Sequence, residues 1–547
     1  MSSTARPALR LVAETVRGHR WGIVTWVVTS AVAMFAIAAG FVSEVAGYPG
    51  GAPAMAAGMQ PSVQALRLLR WPGERLDTLG GYLTYHNLTL FAFALALYAA
   101  VQGTHAIRGA ERKGVAEVIL AAGRSRPGLL ADRAIGFAVA LVLIGAGLGL
   151  SLAASMVYGG QADTGGSLIT ALMCTLAAFT AYALGMLMAQ LASRPRSATA
   201  AAAFTVTGLY LLTNIADQIG PAGALRYLSP FFYVNQARAL VPGHGFSAVA
   251  LLSLTGMSAL LLAAAAWAYQ VRDYGSGLWT RSITRAPRTA RIQRPALRQL
   301  WSAELLRHRN GLVVWSLAAA AIMALMGWEG PAVIDMWDKF QITQTMIGSD
   351  PSHSIADQFL AFAAQLVLPL IAAYAVTQAA GWVDDLEHGR VELLLSAPMS
   401  WPGLLRHRLA ATMAGCTVIT VAAIAGLAAT SAAVGIHVDA AGLARLGADT
   451  LLLSTALDTV ALLLIAWLRT GVAVTALAVY LTLSYLLIYL VRLFAWPDWI
   501  NRLSLFGAYG NPYLQWPAWI WTAATVIVAV AGFAAATVIA ARSPKTA

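Results

Sequence analysis

The sequence predicts an all-α polytopic membrane protein, and three observations carry the prediction. The chain is overwhelmingly apolar, its apolar residues fall in runs long enough to cross a bilayer, and the pattern occurs twice. Of 547 residues, 59% are hydrophobic and only 11% are charged, with a mean hydropathy of +0.67. A soluble chain of this length does not have that balance. Lys and Arg outnumber Asp and Glu by 36 to 24. The basic residues gather in short stretches between apolar runs, which marks loops on the cytoplasmic side and argues against nucleic acid as a partner. The Arg excess and abundant Ala fit a bacterial source. Cys174 and Cys416 lie inside apolar runs, where packing is expected of them rather than a disulfide.

A hydrocarbon core about 30 Å thick needs roughly 20 apolar residues of helix, because lipid offers the backbone no other hydrogen-bond partner. That ruler finds twelve spans. They cover 22–41, 88–107, 134–157, 167–191, 199–215 and 246–270, then 311–326, 359–380, 409–434, 450–468, 472–491 and 518–541. The first run is read as a retained helix, not a signal peptide, because a matching run with matching flanks opens the second half. With a cytoplasmic amino terminus, the inside segments hold the basic clusters, including nine Arg from Arg272 to Arg309, and the carboxyl terminus returns to the cytoplasm. The longer outside loops are then 42–87 and 327–356.

The twelve runs are a duplication. Residues 114–133 and 389–408 are identical at ten of twenty positions without a gap, a shift of 275. The same shift carries Leu228-Ser229-Pro230-Phe231 onto Leu503-Ser504-Leu505-Phe506. Ahead of the first run of each half, His19-Arg20-Trp21-Gly22 matches His308-Arg309-Asn310-Gly311 at a shift of 289. Stretches around Leu9–Val16 and Leu297–Leu305 place apolar residues at helical spacing, as surface-lying amphipathic helices do. The organisation expected is a six-span repeat over 1–271, an Arg-rich cytoplasmic linker over 272–296 and a second six-span repeat over 297–547. An even number of spans separates equivalent points, so the repeats run parallel.

The segment between the second and third runs of each half carries the strongest functional signal. It has a charged start (Glu111, Arg112 and Lys113; Asp384, Asp385 and Glu387), then Gly114 or Gly389. An amphipathic stretch follows around Glu117, or around Arg390 and Glu392, and a break comes at Gly123-Arg124 or Pro398. A rigid, polar-faced helix ending in a breaker can pass a push to the spans on either side of it. One copy could equally be a solvated loop that marks topology; two copies at equivalent positions favour docking. The segment resembles the coupling helix of ABC-2-type permeases, and the layout of nearly the whole chain resembles the fused, double-length permeases that export tetronasin-like polyketide antibiotics and other drugs. The likeness departs at Leu505, where the first half has a proline.

The resemblance implies export powered by two copies of a separate ATPase subunit on the cytoplasmic side of the bacterial plasma membrane, those subunits carrying the ATP and Mg. It implies a hydrophobic small-molecule substrate and no catalysis by this chain itself. The residues agree as far as ATP is concerned, since none of the three lysines, Lys113, Lys339 and Lys545, follows a Gly as a phosphate-binding loop requires. No metal-ligand spacing is present and no cofactor is expected. The resemblance also implies that the second and fifth spans of each half line the substrate path. Among their aromatic and amide residues are Phe91, Tyr98, Gln102, Tyr210, Asn214, Gln365, Tyr485 and Tyr489, types that suit large amphipathic molecules. Packing between helices is the plainer use of each. Asp458 is the central carboxylate of the spans; it either pairs with a polar neighbour or serves transport. A twelve-helix ion-coupled transporter is the rival reading, for which one acid is a thin endowment; a non-transporting anchor or sensor subunit is the other.

Overall fold

The structure is a computed structural model that describes residues 5–65, 71, 73–112, 114–192, 195–216, 220–278, 299–337, 352–387, 389–396, 398–468, 471–493 and 496–542. Every regular element among these residues is helical. Ten of the helices are long and apolar enough to cross a membrane. The chain divides into two compact units, Met1–Arg285 and Ala286–Ala547.

The first unit opens with α1 (Ala5–Gly18) and α2 (Arg20–Gly47), followed by α3 (Gly51–Ala65) and α4 (Leu79–Arg112). Then come the short α5 (Val115–Ala121) and the long α6 (Arg126–Tyr158), α7 (Thr164–Leu191) and α8 (Pro195–Ile215), and last α9 (Pro230–Asn235) and α10 (Ala248–Val271). Helix α7 is the centre of the unit: α4, α6 and α10 all pack on it, while α1 and α2 lie against α6. Glycines set the closest approach. A Cβ on Gly103 would come within 2.2 Å of the Tyr182 carbonyl oxygen, and one on Gly185 within 2.1 Å of that of Ala100. Helices in lipid gain from such backbone contact because apolar side chains alone draw them together weakly.

The second unit repeats these neighbours. It runs through α11 (Leu300–Arg307), α12 (Arg309–Trp328), α13 (Gly330–Trp337), α14 (Ile355–Glu387), α15 (Arg390–Leu395) and α16 (Trp401–Ala433). It ends with α17 (Ala440–Leu468), α18 (Gly471–Leu493), α19 (Asp498–Asn501), α20 (Leu505–Tyr509) and α21 (Trp519–Arg542). Helices α14, α16 and α21 pack on α17, and α11 and α12 on α16. Helix α14 breaks between Ala364 and Val367. The cause is Pro369, which has no N–H for the carbonyl of Gln365 and crowds it.

The helices overrun the apolar runs that announced them. Helices α6 and α16 start at Arg126 and Trp401, each capped by a serine whose Oγ accepts a backbone N–H. The hydropathy ruler stops at Arg133 and Arg408, but a helix stops where its caps are. For the same reason the first long loop is largely helical, filled by the end of α2, by α3 and by the start of α4. Helices α8 and α18 stand where the fifth and eleventh runs lie.

Candidate functional site

The repeated segment folds as a short helix in each unit, α5 and α15. Both helices are entered through a glycine in the left-handed region, Gly114 at φ 70° and Gly389 at φ 66°, a conformation that costs a residue with a Cβ about 1–2 kcal/mol. Ala116 and Val391, at equivalent positions, are the buried footholds. Each helix holds its acid, Glu117 or Glu392, outward, and beside it leaves Val118 70% and Leu393 73% exposed. Gly123 (φ 87°) ends the segment in the first unit and an exposed Pro398 stands at its counterpart in the second. Ser125 and Ser400 then start the long helix, their hydroxyls accepting from the amides of Gly128 at 3.2 Å and Gly403 at 3.4 Å.

The base of α5 is a buried ion network. Helix α4 widens into a π-helical turn at His105–Gly109, which re-aims the residues that follow. Arg108 donates to Glu111 Oε2 at 3.0 Å, and Arg272 from the end of α10 donates to Oε1 of the same carboxylate. Their side chains are no more than 5% exposed. Arg108 also donates to the carbonyls of Ala189 at 2.6 Å and Ala192 at 2.6 Å, the free acceptors at the end of α7. Arg272 donates to Gln190 Oε1 at 2.6 Å and lies over the Tyr269 ring at 4.9 Å. One glutamate thus ties three helix ends together. Arg124 makes a two-pronged pair with Asp132, at 2.8 and 2.6 Å, fastening the loop after α5 to α6.

The second unit fastens α15 differently. Arg390, on α15 itself, donates to Asp385 Oδ1 at 2.7 Å. Arg408 of α16 reaches the other oxygen of Asp385 at 3.5 Å, Glu304 Oε1 of α11 at 2.6 Å and the Gln378 carbonyl at 3.0 Å, with its guanidinium 5.2 Å over Trp382. Burial raises the Glu304 pKa, but a hydrogen bond from His308 and the charges of Arg408 and Arg307 outweigh it and hold the carboxyl down at about 2. The first unit keeps the counterpart of one of these contacts within itself: Arg133, equivalent to Arg408, donates at 3.1 Å to Thr15, equivalent to Glu304.

Of the residues expected to meet a partner, Arg112, Glu117, Glu387, Glu392 and Pro398 are exposed. Glu111 and Asp385 face inward and hold the helix bases. Lys113 lies outside the described residues. Sequence reasoning missed Arg108, Arg272, Glu304 and Arg408. Each was visible, as a topology marker or within an amphipathic stretch, but nothing in the chain order shows who pairs with whom.

The candidate path residues fall into separate groups within their units. Phe91 and Tyr98 pack on Trp26, with centroids 5.3 and 5.7 Å away. Tyr210 stacks on Phe93 at 4.4 Å and meets Phe231 edge-on at 5.3 Å. Gln102 is half-buried and Asn214 buried. Gln365 sits at the break in α14 with its Oε1 buried and without a hydrogen-bond partner. Tyr485 packs edge-on against Phe506 at 6.1 Å, and the Tyr489 side chain lies outside the described residues. Asp458 is buried in a small cavity of the second unit with Gln378, Trp382, Arg408 and Thr412. Among the described residues no His, Cys, Asp and Glu grouping could hold a metal.

Long apolar helices with charged residues gathered at their ends define a multi-pass membrane protein of the transporter-permease class. The chain matches the family described as Multidrug efflux system permease Rv1217c, C-terminal domain, over residues 11–270 and 297–541, and it belongs to that family. No curated protein matches the chain.

Proposed function

We propose that the chain is the membrane-spanning permease of an ATP-driven ABC exporter. It moves hydrophobic or amphipathic drugs, polyketide-like antibiotics among them, out of a bacterial cell by alternating access. In this reading the twelve spans form two parallel six-helix repeats with both termini in the cytoplasm. Two copies of a separate ATPase subunit, carrying the ATP and Mg, dock on α5 and α15; the chain itself catalyses nothing. The observation that supports this most directly is the repetition of one exposed pair, Glu117 with Val118 and Glu392 with Leu393, on helices braced to the spans on either side. An apolar residue left in the open beside an acid suits a protein surface better than bulk water.

Copurification with the product of a neighbouring ATPase gene, followed by drug-stimulated hydrolysis, tests the reading. Val118→Asp combined with Leu393→Asp should abolish copurification at unchanged thermal stability; full retention of the ATPase would sink the docking assignment. Phe91, Tyr98, Gln102, Tyr210, Asn214, Gln365, Tyr485 and Tyr489 line the drug path in this proposal. Tyr485→Ala and Asn214→Ala should therefore shift the range of drugs that cells resist, and unchanged resistance at normal expression counts against the lining. Transport in vesicles that continues with a protonophore and stops without ATP separates this mechanism from the ion-coupled rival.

A further inference from the structure

Helices α14, α16 and α17 enclose the cavity lined by Gln378, Trp382, Arg408, Thr412 and Asp458. Asp458 is only 5% exposed, and its Oδ2 has no hydrogen-bond partner. No direct ion pair joins it to Arg408, yet that arginine is the cationic group at the cavity wall. A carboxylate in the core of a membrane unit must find a counter-charge, a water or a proton, and the cavity, walled on one side by Ala461, Leu462 and Ile465 and on the other by Gln378, Arg408 and Thr412, has room for a water that lets either of the last two reach it.

Arg408 belongs to two places at once. On its far side it serves Glu304 and Asp385, and Asp385 holds Arg390 at the root of α15. Three carboxylates therefore draw on one guanidinium, and the longest of its hydrogen bonds, 3.5 Å, is the one to Asp385. The other titratable groups near Asp458 are Tyr374 of α14 and Cys416 of α16. Helix α21 has no charged residue before Arg542, and in α18 the one charged residue, Arg492, is at the end of the helix. Beyond Arg408 lie Arg307 and His308, both on Glu304.

We propose that Asp458 is a proton-binding site that sets how firmly α15 is held. With Asp458 ionised, Arg408 is drawn toward the cavity and away from Asp385. When Asp458 takes up a proton, Arg408 turns wholly to Glu304 and Asp385, and the root of α15 tightens. The first unit has no such device, because Ala183 stands where the second has Asp458 and Thr15 where it has Glu304. The regulatory consequence rests on the reading of α15 as the docking helix; the proton site and the tightening do not.

The test is correspondingly divided. The full chain, alone in lipid nanodiscs, carries a spin label at Leu393→Cys, its native Cys174 and Cys416 being buried. Label mobility should fall in a single step as pH falls, and the step should be lost in Asp458→Asn, which stays in the low-mobility state at every pH. Infrared difference spectra should show a protonated-carboxyl band that appears with the step and is missing in Asp458→Asn. His308→Asn should keep the step. A pH-independent label, or a step that survives Asp458→Asn, overturns the proposal. If the step and the band are present but the ATPase complex hydrolyses with the same pH profile in both proteins, the proton site stands and the docking role of α15 fails.

Discussion

The two units share a frame and differ at one joint. In the first, α5 carries no basic residue and its root is closed by a glutamate sunk between two arginines, Arg108 and Arg272, whose other donors go to the carbonyls of Ala189, Ala192, Asp273 and Ser276 and to the Gln190 side chain. In the second, α15 grips its own anchor through Arg390, and the network reaches α11 through Glu304 and ends at a cavity. A buried pair satisfied on every side is rigid and costly to disturb, whereas a half-exposed one is weak and easily altered. The first joint is the buried one on all sides, and the second leaves Arg390 43% exposed.

The sharpest way to break that contrast is to remove one charge from each joint. Arg272→Ala leaves Glu111 buried with a single partner and should cost about 3–5 kcal/mol, read as a fall in thermal midpoint in detergent and in folded yield. A loss under 1 kcal/mol would show that the first joint is not the rigid one. Asp385→Asn should be milder, about 1–2 kcal/mol, and its main effect should be a looser α15, seen as faster proteolysis within 389–396. Of the same size are Gly114→Ala and Gly389→Ala, each about 1–2 kcal/mol for a left-handed backbone with a Cβ; equal costs in the two units would show that the helices are entered alike. The last effect is in pH. The folded Glu304 titrates at about 2 against an ordinary value of 4.5, so its contribution to stability is fully present above pH 4.5 and is lost as pH falls from there toward 2. Equilibrium unfolding followed down to pH 3 should show a decline that Glu304→Gln lacks.

Much of the frame was readable in the chain. Apolar run length located the ten helices long and apolar enough to cross a membrane, out of twelve runs, because lipid leaves the backbone no alternative, and the glycines at 114 and 389 with the breaks at Gly123 and Pro398 bounded the short helices by stereochemistry alone. What stayed hidden was pairing over distance. Arg108 and Arg272 stand 164 residues apart in the chain, and each reads locally as a basic residue closing an apolar run. Glu111 stands in a charged start with Arg112 and Lys113, and nothing local sets it apart; the π-helical turn in α4 and the arrival of α10 place it inside. The cavity beside Asp458 had no local signature, since α14, α16 and α17 each contribute a wall.

One small hook recurs near the other end of each unit. The Ser229 hydroxyl donates to the carbonyl of Leu209 at 2.8 Å, and Ser504 to that of Ser484 at 2.6 Å, each twenty residues back along the chain. The loop returning from α8 or α18 is thereby stitched to the helix it has just left. Each serine is also the N-cap of the short helix that follows, α9 or α20, so while the bond holds, that helix and the end of α8 or α18 can shift only together.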